Sequence, residues 1–180
     1  ECEHCYAEID TPVRVRNARL RPQGLKLWGP AKGSGVRHVT AVSTWKHLET
    51  WNRAARKAGG LRPTVFCNAN SDFFERFDGS LVGDTRCLET LDDVRETALH
   101  LMLKCDALEF LVLTKRPENV KEMVPAGWLL PGAWPQHIRI GTTAGTKKSA
   151  VERLPHLQAG PWPNFVSAEP LLEEVDLAPW

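Results

Sequence analysis

The stretch Phe110-Leu-Val-Leu-Thr-Lys-Arg-Pro117 decides the fold class. Phe110 to Leu113 form a continuous apolar run rather than an alternating one. A short run of this kind bounded by polar residues fits a strand buried on both faces, as in parallel sheets. The run breaks at Thr114-Lys115-Arg116. Pro117 then suits the first turn of a helix through about Met123, because that turn needs no N–H from it.

Similar runs stand on either side. Pro63-Thr-Val-Phe-Cys67-Asn68 leads into the polar cluster Asn68, Asn70, Ser71 and Asp72; His137-Ile-Arg-Ile140 leads into Gly141-Thr142-Thr143; Phe165-Val-Ser-Ala168 ends at Glu169-Pro170. Helical spacing fills the intervals. The first helix is expected over 43–58, capped by Ser43 or Thr44, with Trp45, Leu48, Trp51 or Asn52, and Ala55 on one face and Gly59-Gly60 as the stop. The second covers 91–105, opened by a Thr90/Asp93 capping box, with Leu91, Val94, Ala98, Leu101 and Cys105 on one face. The third covers 147–158, with Val151, Leu154 and Leu157 inward and a bend at Pro155. Residues 9–42 are rich in Arg, Pro and Gly, show little periodicity, and read as a long irregular segment with room for a short helix behind Cys5.

This alternation predicts an α/β chain with a parallel sheet whose polar residues gather at the C-terminal strand ends, the edge where such folds place their chemistry. A complete eight-stranded barrel takes about 250 residues, and the chain has 180. The expected architecture is therefore a partial (β/α) barrel, residues 1–180 forming one incomplete domain trimmed at both ends, with 1–42 as the cluster loop and irregular N-terminal segment.

The 23 Lys+Arg and 22 Asp+Glu residues nearly cancel. That argues against a chain coated with nucleic acid and against a polybasic membrane anchor. No apolar run reaches a membrane span and no signal peptide is visible. Five Cys, an odd number without a secretion signal, favour a reduced, cytoplasmic chain over a disulfide framework. Cys67 and Cys105 read as small core hydrophobes, as does Cys87. The scattered His residues show no ligand spacing. Trp28, Trp128 and Trp134 lie among Gly and Pro, where core packing outweighs base stacking as an explanation.

Cys2-Glu3-His4-Cys5 is the chemically distinctive element, because two thiolates three residues apart converge on one metal or cluster. Zinc needs two further ligands, and the chain has no second Cys-x-x-Cys. Cys-Glu-His-Cys-Tyr-Ala-Glu at 2–8 resembles the hallmark of a phage and bacterial family of unknown function, of the phage Gp37/Gp68 type. Its three-cysteine motif is similar to that of radical S-adenosylmethionine (radical SAM) enzymes. Further blocks resemble the family in the same order, among them Trp28-Gly29-Pro30, Ser71-Asp72-Phe73-Phe74, Thr114-Lys115-Arg116-Pro117-Glu118-Asn119 and Ser167-Ala168-Glu169-Pro170-Leu171-Leu172. Three features depart from it. The first Cys of the triad is missing, Ala144-Gly145 stands where an acidic-amide pair is usual, and the chain stops at Trp180 before a further strand.

The resemblance implies a 4Fe-4S cluster held by Cys2 and Cys5 with a third Cys, and S-adenosylmethionine chelated to its open iron. One electron then breaks a carbon–sulfur bond and the resulting deoxyadenosyl radical takes a hydrogen atom from substrate. On that basis Tyr6 lies beside the cluster. Asn68, Asn70 and Asp72 are candidates for the cofactor's ribose hydroxyls or amino group. Lys115 and Arg116 suit its carboxylate or a substrate phosphate, and Thr142, with Thr143, and Glu169 complete the edge. Plainer readings stand beside these: Asp72 caps the next helix, Lys115 and Arg116 are surface charge, and the Thr pair is a turn. The substrate is unknown; a distant likeness to radical DNA-repair lyases points to nucleic acid or a nucleotide. The competing readings are a non-catalytic α/β binding or assembly module of phage origin and a zinc-binding nucleic-acid module. No membrane partner is expected; a separate partner protein and the oligomeric state stay open.

Overall fold

The structure, a computed structural model, describes residues 35–67, 71–85 and 88–180. They form two compact units: one holds the described residues through His47 together with Arg76–Thr97, the other Leu48–Glu75 with Ala98–Trp180.

The smaller unit contains a parallel pair, β1 (Arg37–Val39) and β3 (Leu81–Gly83), with Arg37 against Leu81 and Val39 against Gly83. β1 lies inside the stretch expected to be irregular. A three-residue strand carries no alternation to read, and its partner is more than forty residues away in sequence. The Arg37 guanidinium lies 4.0 Å above the Phe77 ring. Gly83 has φ +96°, and a Cβ there would overlap the Val39 carbonyl oxygen.

The larger unit carries a four-stranded, all-parallel sheet of β2 (Thr64–Cys67), β4 (Glu109–Thr114), β5 (Ile138–Thr143) and β6 (Asn164–Ser167), in that spatial order. Successive strands are joined by crossovers through α2 (Leu91–Lys104), the short α3 (Val120–Met123, preceded by a 3-10 turn at Pro117–Asn119) and α4 (Lys147–Gln158); α1 (Val42–Ala58) precedes β2. The register puts Val65, Phe110, Ile138, Val112, Ile140, Thr114 and Thr142 on one face of the sheet. This face carries the core: Phe110, Val112, Ile138 and Ile140 are fully buried with Leu99 and Met102 of α2 and Ala150, Leu154 and Leu157 of α4. The helices thus lie on one side of the sheet. The other face carries Phe66, Leu111, Leu113 and Phe165, none of which joins the core. Among the described residues the sheet is open, with β2 and β6 at its ends.

Particular positions show what sets the elements. The Thr90/Asp93 capping box forms as expected: Asp93 N donates to Thr90 Oγ1 at 3.1 Å and Thr90 N to Asp93 Oδ2 at 2.8 Å. The hydrogen bonds that the Asp93 carboxyl accepts from Thr90 N, from the Thr90 hydroxyl and from Glu89 N hold it below the usual range. In α1, Ser43 and Thr44 lie in the first turn rather than ahead of it, since the helix begins at Val42. Asn52, not Trp51, continues the Leu48–Ala55 face: its side chain donates to Lys104 O and accepts from Ala107 N, whereas Trp51 is half exposed. In α2, Leu99 and Met102 are buried more deeply than Ala98 and Leu101, so the stripe is turned by about one residue. In α4 the inward set is Ala150, Leu154 and Leu157, and Val151 is exposed. The small Ala150 had masked the true i, i+4, i+7 stripe.

Trp128, Trp134 and Trp162 form a buried edge-to-face row with centroids 5.4 and 5.3 Å apart. Trp134 and Trp162 donate to Ile138 O and Leu157 O, so Trp128 and Trp134 are core residues. Trp28 lies outside the described residues. On the other face of the sheet the Phe165 ring covers Gly141, and a Cβ at Gly141 would overlap it. Gly141→Ala is therefore expected to lower stability by roughly 1–3 kcal/mol, read as a lower urea midpoint at unchanged slope. An unchanged midpoint would show that Phe165 moves aside at no cost.

Candidate functional site

Each strand of the larger unit ends in polar residues, and one carboxylate ties two of these ends together. Asp72 follows β2. Its Oδ1 accepts from Thr114 Oγ1 at 2.6 Å and from Phe74 N at 3.2 Å; its Oδ2 accepts from Arg116 NH1 at 2.6 Å and Lys115 N at 3.1 Å. The Asp72 side chain is only 10% exposed. Thr114 caps the turn that follows β4 by accepting from Arg116 N at 2.9 Å. Its carbonyl accepts from the fully buried Thr142 hydroxyl at 2.7 Å, which links β5 to the same knot. Asn119, in the next turn, donates to Phe74 O at 2.9 Å and closes the loop from below.

The structure thus brings together Asp72, Lys115, Arg116 and Thr142. Asp72 braces the strand ends: each oxygen already accepts two hydrogen bonds, and the Phe74 bond makes a local Asx-type turn rather than a helix cap. Thr142 uses its hydroxyl inside the sheet. Lys115 is half-buried, and its ammonium has no partner among the described residues. Glu169 follows β6 at the same edge, is exposed, and makes no hydrogen bond to the knot. Cys2, Cys5, Tyr6, Asn68 and Asn70 lie outside the described residues, as does Cys87.

Arg153 of α4 was not singled out from the sequence, where it stands at the polar flank of the Leu154 stripe. Its NH1 donates to Thr143 O at 2.8 Å, placing its guanidinium at the end of β5. Burial lowers its pKa; Asp72, Glu152 and Glu118 oppose that shift, and Arg116 adds to it. α4 begins with a reciprocal cap between Thr146 and Ser149, and Lys147 N donates to Glu173 Oε1 at 2.7 Å, so a carboxylate of the chain already occupies that helix end. Gly145 lies under the chain that follows β6: its carbonyl accepts from Leu172 N, and a Cβ would overlap Pro170 O. This packing accounts for Ala144-Gly145, because Ala144 is fully buried and no side chain fits at 145.

Of the described cysteines, Cys105 is buried in the core, and Cys67 is half-buried at the end of β2 with its thiol pushed up to about 12 by burial. Both are poor sources of thiolate. Among the described residues no three His, Cys, Asp or Glu side chains gather as a metal site, and no helix is long and apolar enough to cross a membrane. A hollow of about 450 Å³ opens between the end of α1 and the loop before β4, lined by Arg56, Leu61, Arg62 and Asp106, but there Arg56 and Asp106 are paired with each other.

Comparison with curated proteins and with solved structures finds no match. A family model described as "Protein of unknown function (DUF5131)" matches residues 1–180. As the match spans the whole chain, the protein belongs to the DUF5131 family.

Proposed function

We propose that the chain forms a partial (β/α) barrel that works as a radical SAM-like iron–sulfur enzyme on nucleic acid or a nucleotide. The observation that carries this reading is the sheet itself. Four parallel strands follow one another in chain order with their helices on one face, as successive barrel strands do, and the C-terminal ends of β2, β4 and β5 meet at the Asp72 knot. A doubly wound sheet would instead reverse its order and carry helices on both faces.

The donor chemistry suits the group. Cys2 and Cys5 offer the paired thiolates of the three-cysteine motif that the chain resembles, and Cys67, half-buried at the strand end, and Cys105, buried in the core, are not part of that motif. When bound, the cluster and S-adenosylmethionine supply one-electron chemistry that removes a hydrogen atom from substrate. The chain's own residues do the rest. Asp72 holds the Lys115 amide and the Arg116 guanidinium at the edge, Lys115, whose ammonium has no partner among the described residues, adds positive charge for the cofactor carboxylate or a substrate phosphate, and Asn68, Asn70 and Glu169 offer hydrogen-bond partners to the cofactor's polar groups. Tyr6 flanks the cluster loop.

Iron, sulfide and zinc analysis of anaerobically purified full-length protein tests this reading. Iron and sulfide in equal amounts, with a broad visible absorption, are expected. Stoichiometric zinc would support a zinc-binding nucleic-acid module instead, and the absence of any metal would support a binding or assembly module.

A further inference from the structure

Three cations belong to the C-terminal end of the sheet and to the turn and helix that follow its strands: Lys115, Arg116 and Arg153. Arg116 precedes the 3-10 turn at Pro117–Asn119, and α4, which carries Arg153, packs directly against that turn. The two guanidiniums are close enough to act on each other electrostatically. Lys115, half-buried, directly precedes Arg116 in the chain. Of the carboxylates near them, Asp72 already takes four donors, Glu118, Glu152 and Glu169 are exposed, and Glu152 is paired with Lys148. Arg153 has one acceptor, Thr143 O, for its five N–H groups, and Lys115 has none for its ammonium, among the described residues. Among the described residues the one buried side-chain nitrogen or oxygen without a hydrogen-bond partner is Arg139 Nε, so the free donors of Arg153 and Lys115 face solvent, where an anion can reach them. The helix end that often takes such an anion is closed here by Glu173, which leaves the side chains as the binding groups.

We propose that Arg153, Arg116 and Lys115 form a phosphate-binding subsite at the C-terminal edge of the sheet. Arg153 and Arg116 donate from two sides, and Lys115 contributes charge. Phosphate fits this set better than a single carboxylate, because its three oxygens match donors arriving from α4 and from the turn after β4. The subsite deepens the proposed function by naming a phosphate-bearing substrate, yet it needs no cluster. Its failure would leave the iron analysis untouched, and loss of iron would leave it standing.

The test is a titration of the full chain, ¹⁵N-labelled at arginine, with inorganic pyrophosphate at fixed ionic strength. The expected result is a saturable, joint shift of the Arg116 and Arg153 Nε–H signals, with Arg62 at the opposite end unmoved. Arg153→Gln is expected to weaken binding about tenfold and Arg153→Lys to restore part of it. Lys115→Gln, which breaks no bond in the fold, is expected to weaken binding about threefold and so guards against a misfolded Arg153 variant. A short single-stranded DNA binding more tightly than AMP would place the phosphate in a nucleic-acid backbone; the reverse order would place it in a free nucleotide. Equal binding by wild type, Arg153→Gln and Lys115→Gln, or the same shifts with sodium chloride alone, would overturn the proposal.

Discussion

Asp72→Ala is expected to destabilise the larger unit by roughly 3–5 kcal/mol, the range found when one partner of a largely buried ion pair is removed. The carboxylate is 10% exposed and takes two side-chain and two backbone donors. Without it the Thr114 hydroxyl, the Lys115 and Phe74 amides and the Arg116 guanidinium lose their acceptor together. Asp72→Asn separates charge from shape: it keeps an acceptor oxygen but brings two donors toward groups that are themselves donors. It is therefore expected to recover little. Chemical denaturation monitored by tryptophan fluorescence reads both variants, since Trp128, Trp134 and Trp162 lie in the core of this unit. A loss below about 1 kcal/mol would mean that Asp72 behaves as an exposed surface pair.

The second large effect falls on composition rather than stability. Replacing Cys2 and Cys5 together by Ala is expected to remove essentially all iron and sulfide from anaerobically purified full-length protein, because one remaining thiolate cannot hold a four-iron cluster. Cys67→Ala is expected to leave iron content unchanged, since burial pushes that thiol up to about 12 and its Sγ donates to Val65 O within its own strand. Iron retained in the double variant would refute the assignment of both ligands. Iron lost in Cys67→Ala would bring β2 into the ligand set.

The apolar runs at Phe110 and His137 were legible as strands because both are central in the sheet and reveal themselves by composition alone. So was the Thr90/Asp93 cap, which is local. The stripe of α4 was misread because Ala150 is small and Val151 looks more apolar, although only the former faces the sheet. β1 and β3 were not legible, since three residues paired across the chain carry no period of their own. At the candidate site the polar strand ends announced the edge, but not the roles within it. That Asp72 binds Thr114, Lys115 and Arg116, some forty residues away, depends on β2 and β4 lying side by side. Arg153 depends on α4 packing over the end of β5, which no local pattern encodes.

The most direct check is where a bound cluster lies relative to the sheet. In the full-length holoprotein, reduction of the cluster to its paramagnetic state is expected to broaden the amide signals of Lys115, Arg116 and Ala144 while sparing Arg62 and Ala107 at the opposite end. Broadening confined to the Arg62 end, or none at either end in iron-loaded protein, would contradict a site at the strand C-termini.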